Sequence, residues 1–143
     1  MTNKLPSGMP ENYEVCLRNE CPLKETCLRQ LGAQEPRKQL NYIRIVNPCL
    51  VKNVTDKCQF YRSNKPVRVA YGITHIFDYV PSIKHDVLYH AVKYYFGKWN
   101  YYRVYHRERP IMPHEQEAIQ QIFRNNGINE PVVFEEYKEI INW

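Results

Sequence analysis

Apolar residues in the C-terminal half recur at helical spacing. Ile83, Val87, Ala91 and Tyr94 fall on one stripe, flanked by Leu88 and Tyr95. With Ser82 as N-cap and Gly97 as stop, they predict a helix over 83–96. Asn100 can cap a short helix through His106, with Tyr101, Val104 and Tyr105 on its buried face. Pro113 opens a third helix, with Glu115 and Glu117 in its first turn and Arg124 in its last, signs that suit the helix dipole. Ala118, Ile119, Ile122 and Phe123 form its inner stripe, and Asn126-Gly127 closes it. Pro131 begins a fourth, with Phe134, Tyr137, Ile140 and Ile141 facing inward.

The N-terminal half is less regular. Residues 1–12 are polar and predict a loose arm. Pro22 to Leu31 reads as a short helix with Cys21 at its N-cap, its apolar face formed by Leu23, Cys27, Leu28 and Leu31, and Gly32 as its end. Two runs alternate like short strands: Tyr42–Val46, ended by Asn47-Pro48, and Val67–Tyr71 before Gly72. The polar stretch Arg62-Ser63-Asn64-Lys65-Pro66 marks a boundary. The predicted architecture is mainly α with minor β. A small cysteine-rich metal module over residues 1–61 packs on a helical, helix-turn-helix-like half over 62–143.

Cysteine placement gives the first module its chemistry. All five cysteines lie in the first 58 of 143 residues, spaced C-x4-C-x5-C-x21-C-x8-C at Cys16, Cys21, Cys27, Cys49 and Cys58. The start, Met1-Thr2-Asn3-Lys4-Leu5-Pro6, has no apolar run behind its charge, so no secretory signal is expected and the chain reads as cytoplasmic. A reducing compartment argues against disulfides. Three thiols within 12 residues then point to metal ligation, since thiolate is the ligating form and a helix N-terminus favours it. Cys49, between Pro48 and Leu50-Val51, has a core-like setting. Cys58, in Asp56-Lys57-Cys58-Gln59, is easier to present. The candidate ligands are therefore Cys16, Cys21, Cys27 and Cys58.

Both Zn2+ and a [4Fe–4S] cluster remain open at this point. Cys16 and Cys21 meet the tight pair spacing of zinc sites, whereas the loose remainder suits a cube binding each thiolate at a different corner. The competing reading is a set of buried free cysteines serving as small core residues. A mixed zinc site drawing in His75 or His114 is a further option.

Charge divides the chain unevenly. Residues 62–109 hold 9 basic against 3 acidic side chains, while residues 110–143 hold 2 against 6. A basic middle favours a polyanion surface, and solvated helix faces are the plainer alternative. On the helix at 100–106, Tyr102, Arg103 and His106 face outward, with Lys98 and Trp99 before them and Arg107 and Arg109 after. Lys98, Tyr102, Arg103, His106, Arg107 and Arg109 are the candidate contacts for DNA or RNA, cations taking phosphates and arginine forking onto guanine. Tyrosine, tryptophan and arginine equally suit a protein partner. No apolar run reaches membrane-spanning length, so no membrane is expected. No phosphate loop, nucleophile elbow or H-E-x-x-H pair is present, so nothing requires an enzyme.

Two resemblances follow. Residues 83–128 resemble a lambda-repressor-like helix-turn-helix domain in the order of their parts, closest from Tyr101-Tyr102-Arg103 to Arg109-Pro110-Ile111-Met112-Pro113, with His106-Arg107-Glu108 where that class has glycine. This resemblance implies a DNA-binding regulator. The whole chain resembles a bacterial domain-of-unknown-function family with an N-terminal cysteine cluster. The segments carrying it are Cys21-Pro22 to Cys27-Leu28-Arg29, Asn47-Pro48, Cys58-Gln59-Phe60-Tyr61-Arg62, Gly72-Ile73-Thr74-His75 and Arg109-Pro110-Ile111. It implies no activity.

Overall fold

The computed structural model describes residues 5–53 and 55–143. The chain divides into two compact units, one formed by residues 1–66 with Ile141–Trp143, the other by Val67–Ile140.

The first unit has little regular structure. Helix α1 covers Leu28–Ala33 and helix α2 covers Pro48–Val51. Asn47 caps α2, its side chain accepting from the Cys49 amide at 3.0 Å. The helix expected from Pro22 begins only at Leu28. Residues 22–26 turn instead, with Lys24 and Thr26 amides donating to Cys21 and Leu23 carbonyls, so Cys27 rather than Cys21 stands at the N-cap. The expected strand at 42–46 shrinks to one parallel bridge, Val15 to Ile45. Two small apolar clusters hold this unit. One joins Tyr13, Val15 and Leu28, with Trp143 set edge-on to Tyr13 at 5.2 Å; the other joins Cys16, Val46 and Val51. The expected loose arm falls partly on residues 1–4, outside the described residues.

The second unit is built from strand β1 (Val67–Tyr71), helices α3 (Ser82–Phe96), α4 (Lys98–Tyr105) and α5 (Pro113–Asn125), and strand β2 (Glu136–Ile140). Its core gathers Leu88, Val92 and Phe96 from α3 with Tyr101 and Val104 from α4 and Ile119 and Phe123 from α5. This reverses the expected face of α3. Ile83, Val87 and Tyr94 point outward, while the row Leu88–Val92–Phe96, at spacing i, i+4, i+8, packs inward. Both rows have helical spacing, and the inner one consists wholly of side chains without polar atoms.

The fourth helix expected from Pro131 is strand β2. It pairs antiparallel with β1 in the register Val67 to Ile140 and Ala70 to Tyr137. Pairing satisfies the β1 backbone on that side, and Tyr137 lies under the Arg68 guanidinium, 4.2 Å from ring centre. The spacing of Phe134, Tyr137 and Ile140 is compatible with a helix, but only this long-range partner decides for strand. Helix covers 33% of the described residues, and strand together with isolated bridges 11%. The fold is therefore a small mixed one, and the expectation of a mainly α, helix-turn-helix-like protein is overturned. Gly97 alone separates α3 from α4, where a helix-turn-helix has a three- or four-residue turn.

Candidate metal centre

Three loops and the start of helix α1 place four of the five cysteines, Cys16, Cys21, Cys27 and Cys58, around one hollow. Cys16 follows the Val15 bridge, and its amide donates to the Arg29 carbonyl at 3.0 Å. The Cys21 carbonyl accepts from Lys24, closing a turn. Cys27 accepts from the amides of Gln30 and Leu31 and bridges to Ser63. The Cys58 carbonyl accepts from the Tyr61 amide at 3.1 Å.

The sequence pattern did not single out what ties these loops to one another. Arg29 and Gln30 on α1 are buried polar side chains. The Arg29 guanidinium donates to the Phe60 carbonyl at 2.9 Å and to the Glu14 carbonyl at 2.8 Å. The Gln30 amide donates to the Arg18 carbonyl at 2.7 Å. A charge-assisted bond to a buried carbonyl is stronger than a neutral one, so Arg29 braces the loops of Cys16 and Cys58 against α1. A signal was available: a polar pair inside an apolar helical stretch directly after Cys27-Leu28.

Cys16, Cys21, Cys27 and Cys58 line one small hollow of about 20 Å³, partly open to solvent, whose wall is completed by Leu23, Val51, Phe60 and Tyr61 among others. Cys16, Cys21 and Cys27 are buried and Cys58 is half-buried. Cys49 is not part of this wall. It is exposed on α2 and lines a neighbouring hollow with Cys16. Its core-like sequence setting misleads because α2 is four residues long and buries only Val51. Among the described residues, no three Cys, His, Asp or Glu side chains are grouped to hold a single metal ion. Neither His75 nor His114 enters such a group.

In the second unit, the residues singled out for nucleic acid separate into two sets. Arg109 is spent internally: its guanidinium forks onto the buried Glu115 at 2.6 and 3.2 Å. Glu115 also accepts from the Met112 amide at the start of α5, which fixes both partners. Arg107, at φ 62°, lies 3.1 Å from Glu135 and 3.9 Å from Glu136. A non-glycine residue in the left-handed region costs about 1–2 kcal/mol, which this pairing helps to offset. Lys98, Tyr102, Arg103 and His106 are exposed. Tyr105, expected inside, is exposed as well.

Lys93, on α3, lies 5.2 Å from the Tyr102 ring centre and 5.4 Å from that of Tyr89. Hydrogen bonding to the Tyr89 and then the Tyr102 hydroxyl holds its pKa above the usual lysine value. Tyr101, in the core below, is pushed up to about 12 by burial, helped by the neighbouring Tyr89, Tyr105 and Tyr102.

Comparison with curated proteins and with solved structures gives no match. No helix among the described residues is long and apolar enough to cross a membrane. A family model does match, over the whole of residues 1–143, and the chain thus belongs to DUF6078, a family of unknown function.

Proposed function

We propose that the first unit is a thiolate site for an iron–sulfur cluster of the [4Fe–4S] kind, held by Cys16, Cys21, Cys27 and Cys58. The observation that carries this reading is the shared hollow: Cys16, Cys21, Cys27 and Cys58 all line one space. Tetrahedral zinc with Zn–S near 2.3 Å needs its sulfurs about 3.8 Å apart. A cube takes one thiolate per corner and spreads them wider, which suits the loose sequence spacing. The remaining lining is largely apolar, and the polar heads of Arg29 and Gln30 are engaged with backbone carbonyls. Such surroundings limit solvent at a cluster and tune its potential. When bound, the cluster supplies one-electron chemistry or a redox-sensitive fold; the chain supplies four ligands and the brace that positions them.

The test is iron, acid-labile sulfide and zinc analysis with a visible spectrum, on the full chain purified without oxygen. Four iron and four sulfide per chain are expected, lost on replacing Cys16, Cys21, Cys27 or Cys58 by Ser and kept in Cys49→Ser. One zinc per chain in a colourless protein overturns the cluster in favour of a structural ion. Metal-free protein overturns the site.

A further inference from the structure

The face of α4 has a composition that the metal site does not use. From Val87 to Arg107 the chain runs 21 residues without one carboxylate, while carrying 4 Lys or Arg, 2 His and 8 aromatic side chains. Such a run is unusual in a chain that is otherwise rich in both signs. Several of these aromatics are in the core, but others stand in water. Trp99 is 81% exposed and Tyr94 91%.

Trp99, Tyr102, Arg103 and His106 follow i, i+3, i+4, i+7. At 100° per residue they fall within an arc of about 100°, along roughly 10 Å of helix. All four are exposed, and the opposite side of α4 is buried through Tyr101 and Val104. Lys93 reaches the same surface from α3, over the Tyr102 ring. Lys98 precedes Trp99. Among the described residues none of Lys93, Lys98 and Arg103 lies within ion-pair distance of a carboxylate, whereas Arg107 and Arg109 do. The face thus combines cations outside any ion pair with flat rings; α4 carries no carboxylate, and the one on α3, Asp86, lies near that helix's start, 3.5 Å from His85.

From this we infer that the α3–α4 face binds single-stranded nucleic acid, with Trp99 and Tyr102 stacking on bases and Lys93, Lys98 and Arg103 meeting phosphates. The cations point to a polyanion, and the exposed rings select which kind. A duplex hides the faces of its bases, so an indole and a phenol on a convex helix gain little from it. A single strand offers each base face in turn, and stacking is tolerant of sequence. This use differs from a recognition helix reading base edges in a major groove, which the one-residue link at Gly97 does not provide for. It is also independent of the cysteine site, since every residue named lies in the second unit.

The experiment is fluorescence anisotropy of the full chain with a labelled 12-nucleotide thymidine strand, its uridine counterpart and a duplex of equal length, between 50 and 300 mM salt. Binding of the single strands is expected to exceed that of the duplex and to weaken with salt. Trp99→Ala should lower affinity roughly 5- to 150-fold, the range for loss of one stacked base, while Trp99→Phe should keep most of it. Lys98→Ala with Arg103→Ala should flatten the salt slope by about 1.4. Trp99 and Arg103 are exposed, so circular dichroism should be unchanged in these variants. Absence of binding at 50 mM salt, equal affinity for duplex, or no effect of Trp99→Ala overturns the proposal. So does an acidic peptide that displaces the strand as well as unlabelled oligonucleotide does, which would identify a protein ligand.

Discussion

The two units solve the problem of stability by different means. In the second, twelve buried side chains from three helices, a strand and the connecting loops form one cluster, and every regular element contributes to it or flanks it. In the first, the described apolar residues split into two clusters of three, and the longest helix has six residues. Apolar burial of about 25 cal/mol per Å² favours the larger, continuous cluster and leaves the smaller ones marginal. What the first unit has instead is polar bracing through Arg29 and Gln30 and four thiols around one hollow. If the proposed site is filled, its binding energy becomes folding energy for this unit. The second unit needs no such help.

The strongest way to break the contrast is to remove ligands. Replacing both Cys21 and Cys27 by Ser removes two of four thiolates, and binding free energies of structural metal sites are on the order of 10 kcal/mol. Amide exchange across residues 13–63 should then lose protection while α3 and α5 keep theirs. Equal loss in both units would mean that they do not differ as argued. The mirror experiment is Phe123→Ala. Phe123 is 2% exposed and stacks on Phe77 at 5.8 Å, so truncation should cost about 3–5 kcal/mol, seen as a lower denaturant midpoint for α5 amides.

A smaller effect is read by pH. Tyr101 has its pKa raised from 10.0 to about 12, so the folded state favours the neutral phenol. The stabilisation is complete below pH 10 and is lost as pH rises through 12, up to about 2 kcal/mol. Tyr101→Phe should flatten that part of the stability profile, measured by urea titration at several pH values. Smallest is Tyr13→Phe. Among the described residues the buried Tyr13 hydroxyl has no hydrogen-bond partner, so its removal should stabilise the first unit by up to about 1 kcal/mol, read as a higher urea midpoint.

How much of this can be read from the chain differs between the units for the same reason. Helix α5 is legible because its signals are local: proline at the first position, Glu115 in the first turn, and Ile119 and Phe123 four apart. Strand β1 is legible from strict alternation. Strand β2 is not, because it exists through pairing with residues some seventy positions away. The inward face of α3 is hidden by an outer stripe of equal periodicity, Ile83, Val87 and Tyr94. In the first unit, spacing alone groups Cys16, Cys21 and Cys27, but it says nothing of Arg29 and Gln30 crossing between loops. Nor does composition reveal that Arg109 answers to Glu115; six residues separate them, and a turn rather than a helix face brings them together.

The membership of Ile141–Trp143 in the first unit has a consequence in time. The second unit is spliced into the first between residues 66 and 141, so its own 74 residues are made, and can fold, before Trp143 exists to meet Tyr13. A nascent chain held on the ribosome at residue 140 would present the Tyr13–Val15–Leu28 cluster without Ile141 and Trp143, the side chains that pack against it.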